Sequence, residues 1–244
     1  MNTPRLVAAR ASAFRHIVCL CLLLVCAGSL RAQEQQPPQQ QTTTATKKAN
    51  ERPAAVSAQA SASQREPFDG ASVERMAAQC VRLETEAGVV ELELLPEAAP
   101  ETVRNFLNLV ALGAYDTTTF SRVIPGFVVQ GGNLATREKI TMELVKRSQR
   151  TIRDEPNYVK HLRGVVSMAR PAQADSATTH FFILVGDSPH LDNKFAAFGR
   201  VTRGMEVVDA INKMPGSGDK PDKPVRLNRA TVYACPPATA PKTN

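Results

Sequence analysis

The sequence predicts a mainly β domain, a closed antiparallel barrel with helices over its ends. Three observations carry this. Short runs with apolar residues at every second position recur between residues 81 and 234. Turn-forming pairs such as Ala87-Gly88, Pro125-Gly126 and Gly131-Gly132 punctuate them. Only two stretches show clear helical spacing. Barrel closure would leave such strands no exposed edge, and about 155 residues are enough for one core.

Each element follows from its pattern. Val81–Glu86 and Val89–Leu95 alternate around Ala87-Gly88, which predicts a hairpin. Pro100 suits a first helical turn. Val103, Phe106, Leu107 and Val110 then form one apolar stripe, and Gly113 can end the helix. Phe120–Ile124 alternates, breaks at Pro125-Gly126 and resumes to Gln130 as a second strand. Further strands are predicted near Val165–Ala169, Phe181–Val185 and Ala196–Val201. Gly204–Lys213 carries Met205, Val208 and Ile211 on one helical face, and Val225–Ala234 supplies a last strand. There is no internal repeat, phosphate-cradling glycine loop or metal-spaced cysteine cluster in the sequence.

Residues 1–32 have the form of an export signal. Arg5, Arg10 and Arg15 precede an apolar run from Ile17 to Leu30, short for a membrane span. Val25-Cys-Ala27 and Leu30-Arg-Ala32 both offer cleavage after alanine. An uncleaved anchor is the other reading, and the lipoprotein pattern at Leu23-Leu-Val-Cys26 is poor because Val25 is bulky. Residues 33–79 are rich in Gln, Pro, Thr, Ala and Ser and are expected to be a disordered linker. The folded domain is expected at 80–235, with a disordered tail at 236–244.

The chain has 30 Lys and Arg against 23 Asp and Glu, a net +7. Four arginines and no acid precede residue 33, so without the signal 26 basic residues face 23 acidic ones, or +3. That balance demands no nucleic-acid partner. Residues 137–153 hold six basic residues against Glu138 and Glu143. Ile140, Leu144 and Val145 could form a short amphipathic helix there, either a solvated surface or a basic face for an anionic partner. His161, His180 and His190 lack metal-ligand spacing and a carboxylate partner, so no metal is expected.

Arg122 and Gln130 stand out as polar residues within apolar strands, close to Phe127 and a double glycine. They suit a shallow apolar pocket with two polar probes, able to hold a small apolar group beside an amide. The stretch Phe120-Ser-Arg-Val-Ile-Pro-Gly-Phe-Val-Val-Gln-Gly-Gly132 resembles the signature of the cyclophilins, the peptidyl-prolyl cis-trans isomerases. Gly164-Val-Val-Ser-Met-Ala-Arg170, Thr179-His-Phe-Phe-Ile-Leu184 and Leu191-Asp-Asn-Lys-Phe-Ala-Ala-Phe-Gly-Arg-Val201 agree in order and spacing. The resemblance covers Cys80 to Cys235.

The resemblance implies an eight-stranded barrel capped by two helices. It also implies that the first and last strands are antiparallel neighbours. Cys80 opens the one and Cys235 closes the other. Cys19, Cys21 and Cys26 lie in the signal, so Cys80 and Cys235 are the disulfide candidate of an exported chain; two free thiols at frayed ends are the alternative.

By the same resemblance Arg122 is catalytic. Phe127, Val128, Phe182 and Leu191 line a proline socket, and Gln130 bonds the substrate backbone. Ala169 and Arg170 border the groove, with His180, His190 and Phe195 at further substrate-binding positions. Rotation of a peptide bond is opposed by about 18–20 kcal/mol but needs no nucleophile, cofactor or metal. A donor to the nitrogen lone pair that appears in the twisted amide is worth roughly 3–4 kcal/mol.

The chain departs from the family pattern at five places. Ser121 replaces a common histidine, Val128 a methionine and His180 a glutamine. His190 replaces the tryptophan typical of eukaryotic members, and Phe195 a pocket histidine. Loss of the indole donor predicts weak cyclosporin binding. The expected function is isomerisation of Xaa-Pro bonds in exported, proline-containing polypeptides, by a monomer. A proline-peptide-binding chaperone or scaffold with little turnover is the alternative; only the enzyme needs Arg122.

Overall fold

A computed structural model describes residues 65–237. The expected signal at 1–32, residues 33–64 of the expected linker and the end of the tail lie outside the described residues.

The chain runs α1 (Val73–Ala77), β1 (Gln79–Thr85), β2 (Gly88–Leu94), α2 (Pro100–Ala111), β3 (Thr118–Thr119), β4 (Arg122–Ile124) and β5 (Val128–Gly131). It continues through α3 (Met142–Ser148), β6 (Val165–Met168), β7 (Phe181–Leu184), β8 (Ala197–Arg203) and α4 (Met205–Asn212). A ribbon of β9 (Gly216–Ser217) and β10 (Lys220–Pro221) precedes β11 (Arg226–Ala234). The main sheet has nine strands, in the order β3-β11-β1-β2-β8-β6-β7-β5-β4, all antiparallel. The expectation had eight strands and two helices; nine strands in the sheet and four α-helices are present among the described residues. The additional strand count comes from β3 and β4, two short pieces separated only by Phe120 and Ser121.

The two anticipated helices form where their stripes fall. In α2 Val103, Phe106, Leu107 and Val110 are buried, with Pro100 at the first turn. Its opening N–H groups at Glu101 and Thr102 are taken by the Glu155 carboxylate at 3.0 and 2.7 Å, which satisfies donors that a helix start leaves orphaned. In α4 Val208 and Ile211 are buried. Gly204 before it has φ +89°, and a Cβ there would meet the Val89 carbonyl at 2.2 Å, so only glycine fits.

The linker boundary at residue 79 requires correction. Residues 65–78 belong to the folded unit: Met76 is fully buried, and Phe68 and Ala71 are buried with it in the main core. Polar composition averaged over residues 33–79 hides these few apolar residues, and they are the ones that pack.

β1 and β11 pair with Cys80 opposite Tyr233, and a disulfide joins Cys80 to Cys235. The basic stretch contains the short helix α3, capped by the Thr141 hydroxyl. Arg147 of α3 turns inward to a salt bridge with Glu66 and a 2.8 Å bond to Asn105, and Arg137 donates to the carbonyls of Gly113 and Ala114 at the end of α2. Part of this charge therefore has a structural use.

Both faces of the central strands are buried, and they split with period two. Val123, Val129, Val166, Met168, Phe181, Ile183 and Phe198 belong to the main core, where Phe106, Tyr115, Phe181 and Phe198 pack ring against ring. Their neighbours Val128, Val165, Phe182, Leu184 and Ala197 form a second cluster with Leu191. That second cluster floors the candidate site.

Candidate functional site

The geometry starts from the β4–β5 hairpin. Its register sets Arg122 opposite Gln130, Val123 opposite Val129 and Ile124 opposite Val128. Val123 and Val129 enter the main core, so Arg122 and Gln130 belong to the opposite face. β5 pairs next with β7, which puts Gln130 beside Phe182. A cation in this strand is thus brought next to an apolar surface by strand alternation alone.

A cavity of about 180 Å³ opens there. Phe127, Val128, Phe182, Leu191 and Phe195 supply its apolar lining, and Arg122, Gln130, Ala169 and Arg170 complete it. The Arg122 guanidinium donates through Nη1 to Gln130 Oε1 at 3.2 Å and through Nε to Asp219 Oδ2 at 2.9 Å. Its side chain keeps 41% of its exposure. It is therefore held against the socket yet open to a ligand.

A second guanidinium also lines the cavity. Arg170 stacks over the Phe195 ring at 5.1 Å and pairs with Asp154 at 2.9 Å. Phe195 in turn meets Phe182 edge-on, with centroids 6.1 Å apart. The Arg170 side chain also donates to the carbonyls of Pro171 and Lys194, so it braces the loops around the groove as well as lining it.

Two of the expected binding residues lie outside the cavity lining. His190 is exposed and packs its ring against Phe127, centroids 5.5 Å apart, so it touches the socket only through that residue. His180 is half-buried; its carbonyl accepts the Ala169 N–H at 2.9 Å, and burial pushes its imidazole pKa down. His161, fully buried, sets Nδ1 3.3 Å from Asp192 Oδ1 and Nε2 3.1 Å from Ser167 Oγ. Burial lowers its pKa too, against the opposing pull of the Asp192 carboxylate.

Four further residues shape the site without a sequence motif to mark them. Asp219 holds Arg122. Asn212 braces the hairpin turn, accepting Gly126 N–H at 2.8 Å and donating to the Ile124 carbonyl at 2.9 Å. Asn157 donates to the Ala197 carbonyl at 2.9 Å, and Val159, two residues on, packs against the socket cluster. Of these only Asn212 carried a signal, a polar side chain one turn after Val208 on the buried stripe of α4.

Residues 80–232 match the family model of the cyclophilin type peptidyl-prolyl cis-trans isomerase/CLD. Peptidyl-prolyl cis-trans isomerase A of Dickeya dadantii is 40% identical over 164 residues, which cover 62% of this chain and 83% of that protein. A peptidyl-prolyl cis-trans isomerase of Acinetobacter baylyi is 36% identical over 168 residues, 64% of this chain and 86% of that one. Among solved structures, a Cryptosporidium parvum cyclophilin type isomerase crystallised in the presence of the dipeptide Ala-Pro is similar, with a TM-score of 0.57 and 27% identity. The match covers 64% of this chain and 99% of that one. A match across most of the described residues, with relatives of the same kind in three organisms, makes the chain a member of the cyclophilin-type peptidyl-prolyl cis-trans isomerases.

Proposed function

We propose that this isomerase turns Xaa-Pro bonds with the Arg122 guanidinium and the apolar socket beside it. The observation that carries the reading is the placement of that guanidinium, which lines the same 180 Å³ cavity as Phe127, Phe182 and Leu191 and is tied to Gln130. A proline ring would fill the socket. As the amide twists, its nitrogen becomes pyramidal and exposes a lone pair that the planar ground states lack. A donor fixed beforehand favours that state over both planar forms. Gln130 would meet the substrate backbone, and exclusion of water by the aromatic walls would strengthen both contacts. The test is a protease-coupled isomerisation assay on Xaa-Pro peptides. Wild type should accelerate exchange and Arg122→Ala should lose most of that; equal activity in both would remove Arg122 from the mechanism.

The clients are proposed to be exported polypeptides. Supporting this are the form of residues 1–32 and the Cys80–Cys235 disulfide, a bond that persists in oxidising compartments. Mass spectrometry of the cell-envelope and cytosolic fractions would test it; an intact N-terminus in the cytosol would end the reading. The sheet is proposed to close as an eight-stranded barrel. What supports closure is that β3 and β4, at the two ends of the strand order, are one continuous stretch of chain interrupted by two residues.

A further inference from the structure

Asp219 stands 97 residues beyond Arg122 in the chain, yet it meets the guanidinium directly. It sits where the β9–β10 ribbon turns, next to Gly218, whose φ is +64°. Two atoms of Asp219 engage the signature strand. Its carboxylate accepts Arg122 Nε at 2.9 Å, and its main-chain oxygen accepts the N–H of the next residue, Val123, also at 2.9 Å. The ribbon thus grips the backbone and the side chain at the same point.

A guanidinium is a rigid plane with donors at Nε and at both Nη atoms. One acceptor lets that plane swing about a single bond. Two acceptors, Asp219 at Nε and Gln130 at Nη1, fix both its position and its tilt. Nη2 has no protein acceptor among the described residues, so it is the nitrogen with both donors to offer. We propose that Asp219 is a positioning residue for the isomerisation: it holds Arg122 by Nε so that Nη2 is presented to the prolyl amide. This rests on the role given to Arg122 above.

A simple surface ion pair is the competing account. The two side chains are 41% and 49% exposed, and such pairs contribute little to stability. The two accounts therefore part cleanly. A surface pair leaves turnover alone when removed. A positioning pair leaves the fold alone and lowers turnover.

The experiment measures kcat and KM on an Xaa-Pro peptide, with a thermal melt, for wild type, Asp219→Ala, Asp219→Asn, Arg122→Ala and the Asp219→Ala/Arg122→Ala double variant. Asp219→Ala should melt like wild type and lose about tenfold in kcat, since small misplacements of a catalytic group are costly. KM should stay within about twofold, because the socket that binds the ring is untouched. Asp219→Asn keeps an acceptor oxygen and should recover most of the loss. In the Arg122→Ala background, removal of Asp219 should change nothing further. Wild-type kcat in Asp219→Ala, with Arg122→Ala impaired, overturns the positioning role alone. A further loss in the double variant also overturns it, because Asp219 would then act other than through Arg122. Full activity in Arg122→Ala would instead bring down the underlying assignment.

Discussion

Asn212 bonds both flanks of the turn at Gly126. Its Oδ1 accepts the Gly126 N–H at 2.8 Å, and its Nδ2 donates to the carbonyls of Ile124 and Val128 at 2.9 and 3.2 Å. One buried amide on α4 therefore fixes the hairpin that carries Arg122, Phe127 and Gln130. Asn212→Ala should cost about 2–3 kcal/mol in urea unfolding, since three bonds are lost near the core. Asn212→Asp should be no better, because it sets a carboxylate against two carbonyl oxygens. Both should also lower kcat/KM. A stability equal to wild type for either would show that the turn holds itself.

Arg122→Lys is the sharper version of the charge test. The ammonium keeps the positive charge but loses the planar fork that reaches Gln130 and Asp219 together. Removing a single preorganised donor costs about 100- to 1,000-fold in kcat. Arg122→Lys should show a large share of that loss, with a melting temperature close to wild type because the ion pair is exposed. Near-normal turnover in the lysine variant would mean that charge alone suffices.

The sequence showed much of this site because strand alternation is a strong signal. β7 is a continuous apolar run, Phe181–Leu184, and its odd and even residues feed two different clusters. Arg122 and Gln130 stood out as polar residues in such strands, so the hairpin could be read before its neighbours were known. Asp219, Glu155 and Asn157 could not. They lie in loops or a two-residue ribbon, where no periodicity exists, and their meaning comes from partners 97, 54 and 40 residues away. β3 was hidden for the same reason, being only two residues long. Phe68 and Met76 were lost by averaging, a few apolar residues at the end of a long polar stretch.

The Cys80–Cys235 bond closes a loop with a sequence separation of 155 residues. The chain-entropy model assigns a loop of that length about 5 kcal/mol, as an upper figure. Reduction, or a Cys80→Ser/Cys235→Ser variant, should lower the unfolding free energy by a large part of that, read as a lower urea midpoint. The folded state should persist, because the β1–β11 ladder is continuous from Gln79 to Glu84 without the bond. Isomerase turnover at low temperature should survive as well, since β4, β5 and β7 lie elsewhere in the strand order. Loss of turnover at unchanged stability would contradict this division.

Two histidines make stability pH-dependent in a fixed direction. Burial lowers the pKa of His161 and of His180. The folded protein therefore holds them neutral where the unfolded chain would protonate them. Below about pH 6.5 the unfolded state binds more protons, so stability falls as pH drops from 7 towards 5 and continues to fall until each folded-state pKa is passed. Asp192 and Asp209 are shifted down, the first chiefly by the His161 backbone N–H and the second by Arg163, so their contributions are lost only at lower pH. Urea midpoints at pH 7, 6 and 5 should decline for wild type and decline less for His180→Gln. Parallel curves for the two proteins would exclude His180 as a source.

Residues 65–78 should behave as part of the domain. Ser72 caps α1 through its hydroxyl, which puts Met76 on the core side of the helix. Phe68 N–H donates to Asn108 Oδ1 at 2.7 Å, Asn108 Nδ2 returns a bond to Asp69 at 3.0 Å, and Glu66 pairs with Arg147. A chain that begins at Gln79 loses all of this, leaves the Asn108 side chain without its partners and leaves Arg147 with Asn105 but without its carboxylate. Burial of a Phe and a Met is worth about 1.5–3 kcal/mol each, so the truncated protein should be at least that total less stable than one beginning at Arg65. The loss should appear as a lower denaturant midpoint, with kcat/KM near that of the longer chain at low temperature, since none of these residues lines the socket. Equal midpoints for the two chains would put the domain boundary back at residue 79.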